Sequence, residues 1–430
     1  MIPHCHYIVK REKYYLQGCI FLGLEISLNS KRMEEILQIT KTLDISPSMR
    51  QDADNKYHAI TEYLQSHGVE CNIYPQGSFA LGVVVRPLDK DGFDLDTICE
   101  LYIDKQDTSA KEVKESVGNV LKESIRYGDV KEYDTCWTKE YAEGFSIDIV
   151  PAVNEEDTKK ETLAIKSLSN RDLTEKAIAI TKGTSSYYRW STSNPKGYRE
   201  WFERINQPFL EYNRDARRRM IFEQNRAVFD SVEEIPETDE RSALQVAIQI
   251  LKRHRSIYFS RIPKGECNRP ISAIIVTIAA SIAKNLSSHL GVFELLGKIA
   301  SELKIYSQLA EMDQIRFSQK YAALDLIRRD SGQWKLLNPA NPEDNLLDSW
   351  NEKGSQRAYW FFQWVTKVIS DFEVFETGSD NQYLATVKTA FGRSLVENSS
   401  AFDHYNSMES SSNSVPISSP VKPWKCYEIH

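Results

Sequence analysis

Two aspartates separated by one residue lie in a run whose pattern predicts a β-strand. The run is FDLDTICELYI, residues 93–103, and its aspartates are Asp94 and Asp96. Because side chains alternate along a strand, both carboxylates point to one face and the apolar residues point to the other. Two carboxylates at this spacing repel each other, so the fold must bring a neutralising partner to this face.

A third aspartate extends the acidic pattern. Asp148 lies in a second predicted strand, FSIDIVPAV, residues 145–153. If the two strands are neighbours in one sheet, three carboxylates converge, and hard divalent cations are the partners that such oxygen ligands prefer. The sequence therefore predicts that Asp94, Asp96 and Asp148 bind two Mg²⁺ ions, with Mn²⁺ as a substitute.

A Gly-Ser pair precedes the aspartates and predicts a phosphate site. It lies in YPQGSFALG, residues 74–82. Gly77 has no Cβ and lets the backbone approach a phosphate closely, and Ser78 adds a hydroxyl donor. Residues 80–87, ALGVVVRP, predict extended structure, although a helical turn over 79–83 would favour the anion further. Each feature is common alone, but the order of strand, Gly-Ser, strand with two aspartates, helix and strand with a third aspartate is specific.

The pattern of secondary structure changes along the chain. With 430 residues the chain is long enough for two lobes, each with its own core. Strand and helix patterns alternate up to about residue 165, and helical patterns dominate from about residue 240, with helices predicted near 292–310, 313–329 and 355–373. The predicted fold class is α+β. The predicted divisions are an N-terminal extension, 1–32, a mixed α/β lobe, 33–170, a helical lobe, 171–395, and a Ser-rich flexible tail, 396–430.

Charge and cysteine content argue against several classes of protein. A net charge of −7 argues against a protein that coats duplex nucleic acid, which requires a basic face. The seven cysteines are scattered without a CxxC pair, which indicates reduced thiols in a cytoplasmic protein. No signal-peptide pattern is visible, and the most apolar run, residues 271–283, predicts a buried helix because thirteen residues are too few to cross a bilayer.

With these motifs the sequence resembles the polymerase-β-like nucleotidyltransferases, and within them the cGAS/DncV-like enzymes (CD-NTases) of bacterial CBASS antiphage defence. The resemblance covers roughly residues 40–395. It rests on YPQGSFALG (74–82), DGFDLDTICEL (91–101), SIDIVPAV (146–153), TSNPKGYREWF (192–202), ALQVAIQILKRHRSIYF (243–259), RPISAIIVTIAA (269–280) and NPANPEDNLLDSW (338–350). It implies a nucleotidyltransferase lobe with a mixed sheet, then a helical lobe of the kind found in oligoadenylate synthetases and poly(A) polymerases, with the active site in the cleft between them.

The resemblance also implies roles for individual residues. The three aspartates would bind Mg²⁺. The residues that would hold the triphosphate are Gln76, Gly77, Ser78, Lys252 and Ser272.

For the last two residues a simpler interpretation stays open. Lys252 and Arg255 share a helix face, but the run KRHR, 252–255, is also typical of a solvated basic helix end. Ser272 follows Pro270 at a predicted helix start, where a serine can be only a cap.

One position departs from the family pattern. Some relatives place an aromatic residue that stacks on the base beside the serine, and here that neighbour is Ala273. Tyr198 and Trp201 are the alternative stacking candidates, although aromatic residues at such spacing are more often part of a core.

The activity that the resemblance implies is template-independent. Nucleoside triphosphates, ATP or GTP, would be condensed into a cyclic di- or trinucleotide second messenger with release of pyrophosphate. A regulatory protein and a separate effector that reads the product are the implied partners. Two other functions stay open: a terminal transferase that acts on RNA or protein, and a catalytically inactive scaffold that binds nucleotides or partners.

Overall fold

The structure is a computed structural model. It describes residues 15–16, 19–20, 30–86, 93–141, 144–167, 169–184, 187–224 and 241–405. Most of the predicted N-terminal extension, 1–32, and most of the predicted tail, 396–430, lie outside these residues.

A seven-stranded mixed sheet forms the N-terminal part of the molecule. Its order is β3-β4-β7-β6-β5, and β8 pairs with both β7 and β9. The strands that the structure describes are β1 Tyr15–Leu16, β2 Cys19–Ile20, β3 Cys71–Pro75, β4 Phe93–Leu101, β5 Lys131–Glu132, β6 Trp137–Glu140, β7 Phe145–Asn154, β8 Ile178–Thr184, β9 Tyr187–Ser193, β10 Arg328–Asp330, β11 Gln333–Lys335, β12 Leu337–Asn338 and β13 Asn341–Asn345. The strands that carry the three aspartates, β4 and β7, are parallel neighbours, as their proposed convergence requires.

Helices pack on the sheet and form nearly all of the C-terminal part. They are α1 Ser30–Lys41, α2 Pro47–Ser66, α3 Gly77–Ala80, α4 Ala110–Glu123, α5 Asp157–Lys166, α6 Pro195–Gln224, α7 Ala243–Ser260, α8 Gly265–Asn268, α9 Ser272–Ala283, α10 Val292–Tyr306, α11 Gln314–Lys320, α12 Arg357–Thr377, α13 Asp380–Phe391 and α14 Arg393–Glu397. Short 3-10 turns cover Lys105–Asp107, Arg171–Lys176, Ser307–Ala310, Asp348–Asn351 and Ser400–Phe402. Within the described part of the chain, the helices are all too short or too polar to span a membrane.

Local sequence explains where the main helices begin. Ser109 and Glu112 form a capping box at the start of α4, and Ser242 and Gln245 form one at the start of α7. Each box satisfies amide groups that the first helical turn leaves without partners. The apolar run that predicts a buried helix is α9, and most of its residues are buried.

Two large cores support the molecule. One lies between the sheet and helices α2 and α4. The other joins α7, α9, α10 and α12, and it includes Met33 and Ile36 of α1. The α+β class is therefore confirmed. The division at residue 170 stays a prediction; the sheet continues beyond it through β8 and β9.

Three stretches differ from the local predictions. Residues 80–87 are extended in the prediction, but Ala80 ends α3 and the described residues after it form a turn and irregular backbone. The helix predicted over 313–329 ends at Lys320, and residues 328–345 form two small hairpins, the first of which turns at Ser331-Gly332 with positive φ. At the C-terminus, Phe402 and Tyr405 are buried, so packed structure extends into the range predicted as a tail.

One face of α7 binds the segment that follows the Gly-Ser pair. The Gln245 side-chain amide donates to the Leu81 carbonyl at 3.0 Å. The Gln249 amide donates to the Val84 carbonyl at 2.7 Å. Positions 245, 249 and 252 recur on one face of a helix, and Lys252 donates to the Val83 carbonyl at 2.7 Å. These bonds fix residues 81–84 against the helical layer and explain why this segment is not a strand.

We expect Gln249→Ala to lower the free energy of unfolding by about 2 kcal/mol, because the Val84 carbonyl loses its donor in a buried setting. Urea denaturation followed by circular dichroism measures the loss. Gln207→Ala is the matched control: this glutamine is exposed, and among the described residues its side-chain amide donates to Glu211 of the same helix, so its effect should stay within about 0.5 kcal/mol. Equal losses in the two variants would contradict the role assigned to α7.

Candidate active site

The register of the parallel pair brings two aspartates side by side. Asp96 of β4 is the Cα partner of Asp148 of β7, and Asp94 is the partner of Ser146. Side chains at paired positions lie on the same face of a sheet. Asp94, Asp96 and Asp148 therefore share one face, and the structure brings together the three carboxylates that the sequence singles out.

Burial and mutual repulsion act on these carboxylates. Burial, followed by the charges of Asp148 and Asp94, raises the pKa of Asp96 to about 6. Burial also raises the pKa of Asp148, against the opposing effect of a hydrogen bond that it accepts from Thr138. The face therefore holds negative charge that the protein itself compensates only in part.

The chemistry of this donor set fits divalent cations. Carboxylate oxygens are the ligands that Mg²⁺ and Mn²⁺ prefer, and a cation would relieve the repulsion that raises the Asp96 pKa. In the described part of the chain, no three carboxylate, imidazole or thiol side chains already surround a single point as a closed metal site. Asp94, Asp96 and Asp148 are the residues that would hold the ions, together with oxygens of the substrate.

The Gly-Ser pair lies directly against the aspartates. The backbone N–H of Gln76 donates to the backbone carbonyl of Asp96 at 2.8 Å. Gly77 follows with φ of +62°, and a Cβ at this position would lie 2.9 Å from Asp96 Oδ2. Glycine is therefore required both by the backbone conformation and by the close carboxylate. Ser78 is the second residue of the short helix α3, which begins at Gly77.

Lys252 connects the helical layer to this turn. Its ammonium group donates to Ser78 Oγ at 2.9 Å and to the Val83 carbonyl. The side chain is buried, and burial, followed by the charge of Arg255, lowers its pKa to about 7. The interpretation of KRHR as a solvated helix end is therefore wrong, because residues 252–255 are all buried.

The other three members of this basic run have structural partners, and Arg253 donates to the Phe391 carbonyl at 2.8 Å. His254 bonds through Nε2 to Asp371 at 3.0 Å and accepts a bond from the Trp364 indole through Nδ1. Arg255 donates to the Pro270 carbonyl at 2.8 Å, and its Nη1 lies 3.4 Å from Ser272 Oγ.

Ser272 lies at the start of α9 but does not cap it. The N-cap residue is Ile271, and no side-chain hydrogen bond caps this helix. Among the described residues, the Ser272 hydroxyl contacts the Arg255 guanidinium and not the Lys252 ammonium group. Its role in triphosphate binding stays a prediction.

The two candidates for base stacking belong to the core. Trp201 is 5% exposed within the helical core. Tyr198 packs against the same core, and its hydroxyl shares a 2.8 Å hydrogen bond with the Thr277 hydroxyl. Neither ring is placed as a free surface for a base, which favours the core interpretation.

The structure adds polar residues to this face that the sequence did not single out. Thr138 of β6 donates to Asp148, and Ser146 donates to Asp94. Farther along β4, Glu100 forms a 2.7 Å ion pair with Lys196 at the start of α6. Ser146 could have been identified because it shares strand parity with Asp148, but the pairing that brings Thr138 close is not encoded in any local pattern.

Comparisons with known proteins show which sequences and structures this chain resembles. Residues 31–206 match the family model of the Second Messenger Oligonucleotide or Dinucleotide Synthetase domain, SMODS. A c-di-GMP synthase of Roseivirga ehrenbergii is 27% identical over 340 residues, which cover 76% of each chain. The cyclic dinucleotide synthase CdnG of Bradyrhizobium diazoefficiens is 26% identical over 335 residues, 75% of this chain and 71% of that protein.

Solved structures share the fold. CdnG, a CD-NTase solved in complex with GTP, superimposes with a TM-score of 0.60 at 18% identity, over 88% of this chain and 100% of that one. The SMODS match and the two relatives support a nucleotidyltransferase of the cGAS/DncV-like type, a CD-NTase. CdnC of Escherichia coli MS115-1, solved as a complex with a HORMA protein, matches with a TM-score of 0.51 at 11% identity, over 84% of this chain and 96% of that one.

The close approach of Gly77 to Asp96 gives a test of the site. We expect Gly77→Ala to reduce nucleotidyl transfer by about 100-fold, because the added Cβ displaces a reacting-site carboxylate. The measurement is pyrophosphate release from nucleoside triphosphates with Mg²⁺. Gly68→Ala is the matched control, since Gly68 also has positive φ but nothing lies within 4 Å of its Cβ position. Loss of transfer in both variants alike would point to backbone strain instead.

The raised pKa of Asp96 gives a second test. Between the unfolded pKa of 3.8 and the folded pKa of about 6, the folded protein binds more protons than the unfolded chain, so its stability falls as pH rises through this window. Without divalent metal, Asp96→Asn should therefore be more stable than the parent protein by about 2 kcal/mol at pH 8, and the difference should shrink towards pH 4.

Denaturant unfolding in a chelator at both pH values measures this difference. The exposed Asp403→Asn serves as the control and should change stability at neither pH. An Asp96→Asn variant no more stable than the parent at pH 8 would contradict the assigned repulsion.

Proposed function

We propose that this protein is a CD-NTase that condenses nucleoside triphosphates into a cyclic oligonucleotide second messenger and releases pyrophosphate, as part of antiphage signalling. The observation that carries the proposal is the contact of Lys252 with Ser78, immediately beside the paired Asp96 and Asp148. A phosphate-binding turn, a cation from the second lobe and a carboxylate face therefore meet at one place. This is the set of groups that nucleotidyl transfer requires.

The protein groups have separable roles in this reaction. Two Mg²⁺ ions, when bound, would supply activation of the attacking hydroxyl and stabilisation of the leaving pyrophosphate. Asp94, Asp96 and Asp148 hold the cations. Ser78 donates to a phosphate oxygen, and Lys252 contributes positive charge at the triphosphate. The pKa of Lys252 is lowered to about 7 by burial, so an adjacent phosphate favours its charged form.

The relatives support a narrower substrate class. One is a c-di-GMP synthase, and CdnG has been solved with GTP. We therefore propose that GTP is a substrate and that the product is a guanine-containing cyclic dinucleotide. Gln76 and Ser272 complete the proposed nucleotide site, at the turn and at the start of α9 respectively.

The proposed partners follow from the same comparison. The complex of CdnC with a HORMA protein supports a regulatory protein as a partner of this chain. A separate effector would read the product. The net charge of −7 supports the absence of stable duplex binding. A cytoplasmic location also belongs to this proposal, supported by the free thiols of Cys71, Cys99, Cys136 and Cys267.

Incubation of the purified protein with all four labelled ribonucleoside triphosphates and Mg²⁺ or Mn²⁺ tests the activity. After phosphatase treatment, mass spectrometry should detect a resistant product of two nucleotides that contains guanine; a resistant product of three nucleotides would contradict the dinucleotide but not the cyclic oligonucleotide. The double variant Asp94→Asn, Asp96→Asn should fold and give no such product, because the cation site is lost. Asp403→Asn should give the parental amount.

Two other outcomes would contradict the proposal. Extension of added RNA or labelling of a protein, without a small resistant product, would identify a terminal transferase. Phage protection that survives the double substitution, without any product, would identify a scaffold.

A further inference from the structure

Two of the three aspartates at the site are engaged by hydroxyl groups from neighbouring strand positions. Thr138 Oγ1 donates to Asp148 Oδ1 at 2.5 Å. Ser146 Oγ donates to Asp94 Oδ1. In each case the hydroxyl bonds to Oδ1, so Oδ2 of the same carboxylate is not engaged by that hydroxyl and can face a cation. Asp148 also has a side-chain hydrogen bond with Cys136.

Strand register fixes both hydroxyls. Thr138 is the Cα partner of Asp148 across the antiparallel β6–β7 pair. Ser146 is the partner of Asp94 across the parallel β4–β7 pair. Both donors therefore come from rigid sheet positions directly beside their acceptors, where ladder bonds limit movement.

The backbone before Thr138 is held by a buried lysine. Lys114 of α4 is fully buried, and its ammonium group donates to the Tyr133 carbonyl at 2.8 Å and to the Cys136 carbonyl at 3.3 Å. The Trp137 indole donates back to the Lys114 carbonyl at 2.9 Å. A buried cation bound to carbonyls two and five residues before Thr138 fixes the start of β6, and with it the position of the hydroxyl.

We propose that Thr138 and Ser146 are positioning residues, each of which orients one aspartate so that its second oxygen is presented to the cation. This inference rests on the proposed function, because it assigns the orienting groups of the same metal site. Outer hydrogen bonds of this kind fix the rotamer of a ligating carboxylate before the cation arrives. Asp96 is positioned differently: it packs against Gly77, whose missing Cβ leaves room for its carboxylate.

Direct measurement of Mn²⁺ binding tests the proposal without relying on turnover. Free Mn²⁺ is followed by electron paramagnetic resonance in the presence of a non-hydrolysable α,β-methylene analogue of GTP. Asp96→Asn defines the binding that belongs to the site. We expect Thr138→Val to weaken that binding by about tenfold, because valine keeps the shape of the side chain and removes only the hydroxyl. Thr138→Ser, which keeps the hydroxyl, should restore most of the affinity.

The matched control is Thr181→Val on β8. Thr181 is also buried in this sheet, but its hydroxyl has no hydrogen-bond partner among the described residues, so its loss should leave Mn²⁺ affinity unchanged. Ser146→Ala provides a second variant, at a less buried position, that decides the matter if Thr138→Val does not fold. We expect it to weaken Mn²⁺ binding as well.

The outcomes separate this inference from the proposed function. If the parent protein binds Mn²⁺ that Asp96→Asn does not, while Thr138→Val and Ser146→Ala bind it as the parent does, the positioning roles are wrong and the metal site stands. Weakened binding that Thr138→Ser fails to restore would also overturn the role of the Thr138 hydroxyl. If the parent and Asp96→Asn bind Mn²⁺ equally, the metal site itself is absent and both proposals fail.

Discussion

The parallel pairing of β4 with β7 is the constraint on which the rest of the site depends. It places Asp96 directly beside Asp148, an arrangement that costs free energy because both carboxylates are partly buried and repel each other. The surrounding residues reduce this cost only in part. Hydroxyl groups bond to the carboxylates of Asp148 and Asp94, and the charge of Lys252 opposes the rise in the Asp96 pKa. The negative charge that remains uncompensated attracts a cation, and this function explains why the arrangement is kept despite its cost.

The site also requires a contact between the sheet and the helical part of the molecule, and α7 makes this contact. Its side chains bind the backbone that follows the Gly-Ser turn through Gln245, Gln249 and Lys252. Because these bonds go to main-chain carbonyls, they fix the path of the turn, whose amide groups at Leu81, Gly82 and Val83 donate to carbonyls within the turn itself. The position of Lys252 relative to Asp96 therefore follows from the packing of α7 as a whole, not from one flexible side chain.

Sequence patterns predicted the parts of this site that depend on local geometry. The common face of Asp94 and Asp96 follows from strand alternation, and the need for glycine at position 77 follows from the phosphate-turn motif. Pairing across the sheet is a non-local property, so the contact of Thr138 with Asp148 could not be read from either segment. The burial of KRHR cannot be read from the sequence for a related reason. A basic run can be buried only where carbonyls and carboxylates accept its hydrogen bonds, and here these acceptors come from distant parts of the chain.

The two pKa shifts at the centre of the site point to a common explanation. Asp96 is shifted towards its neutral form, and Lys252 is also shifted towards its neutral form. Burial thus disfavours the charged form of both side chains. A metal–triphosphate complex carries the two opposite charges that would reverse these shifts: its cation favours ionised Asp96, and its phosphates favour protonated Lys252. The positive metal and the negative triphosphate also attract each other within the site, so metal and nucleotide should bind this site cooperatively.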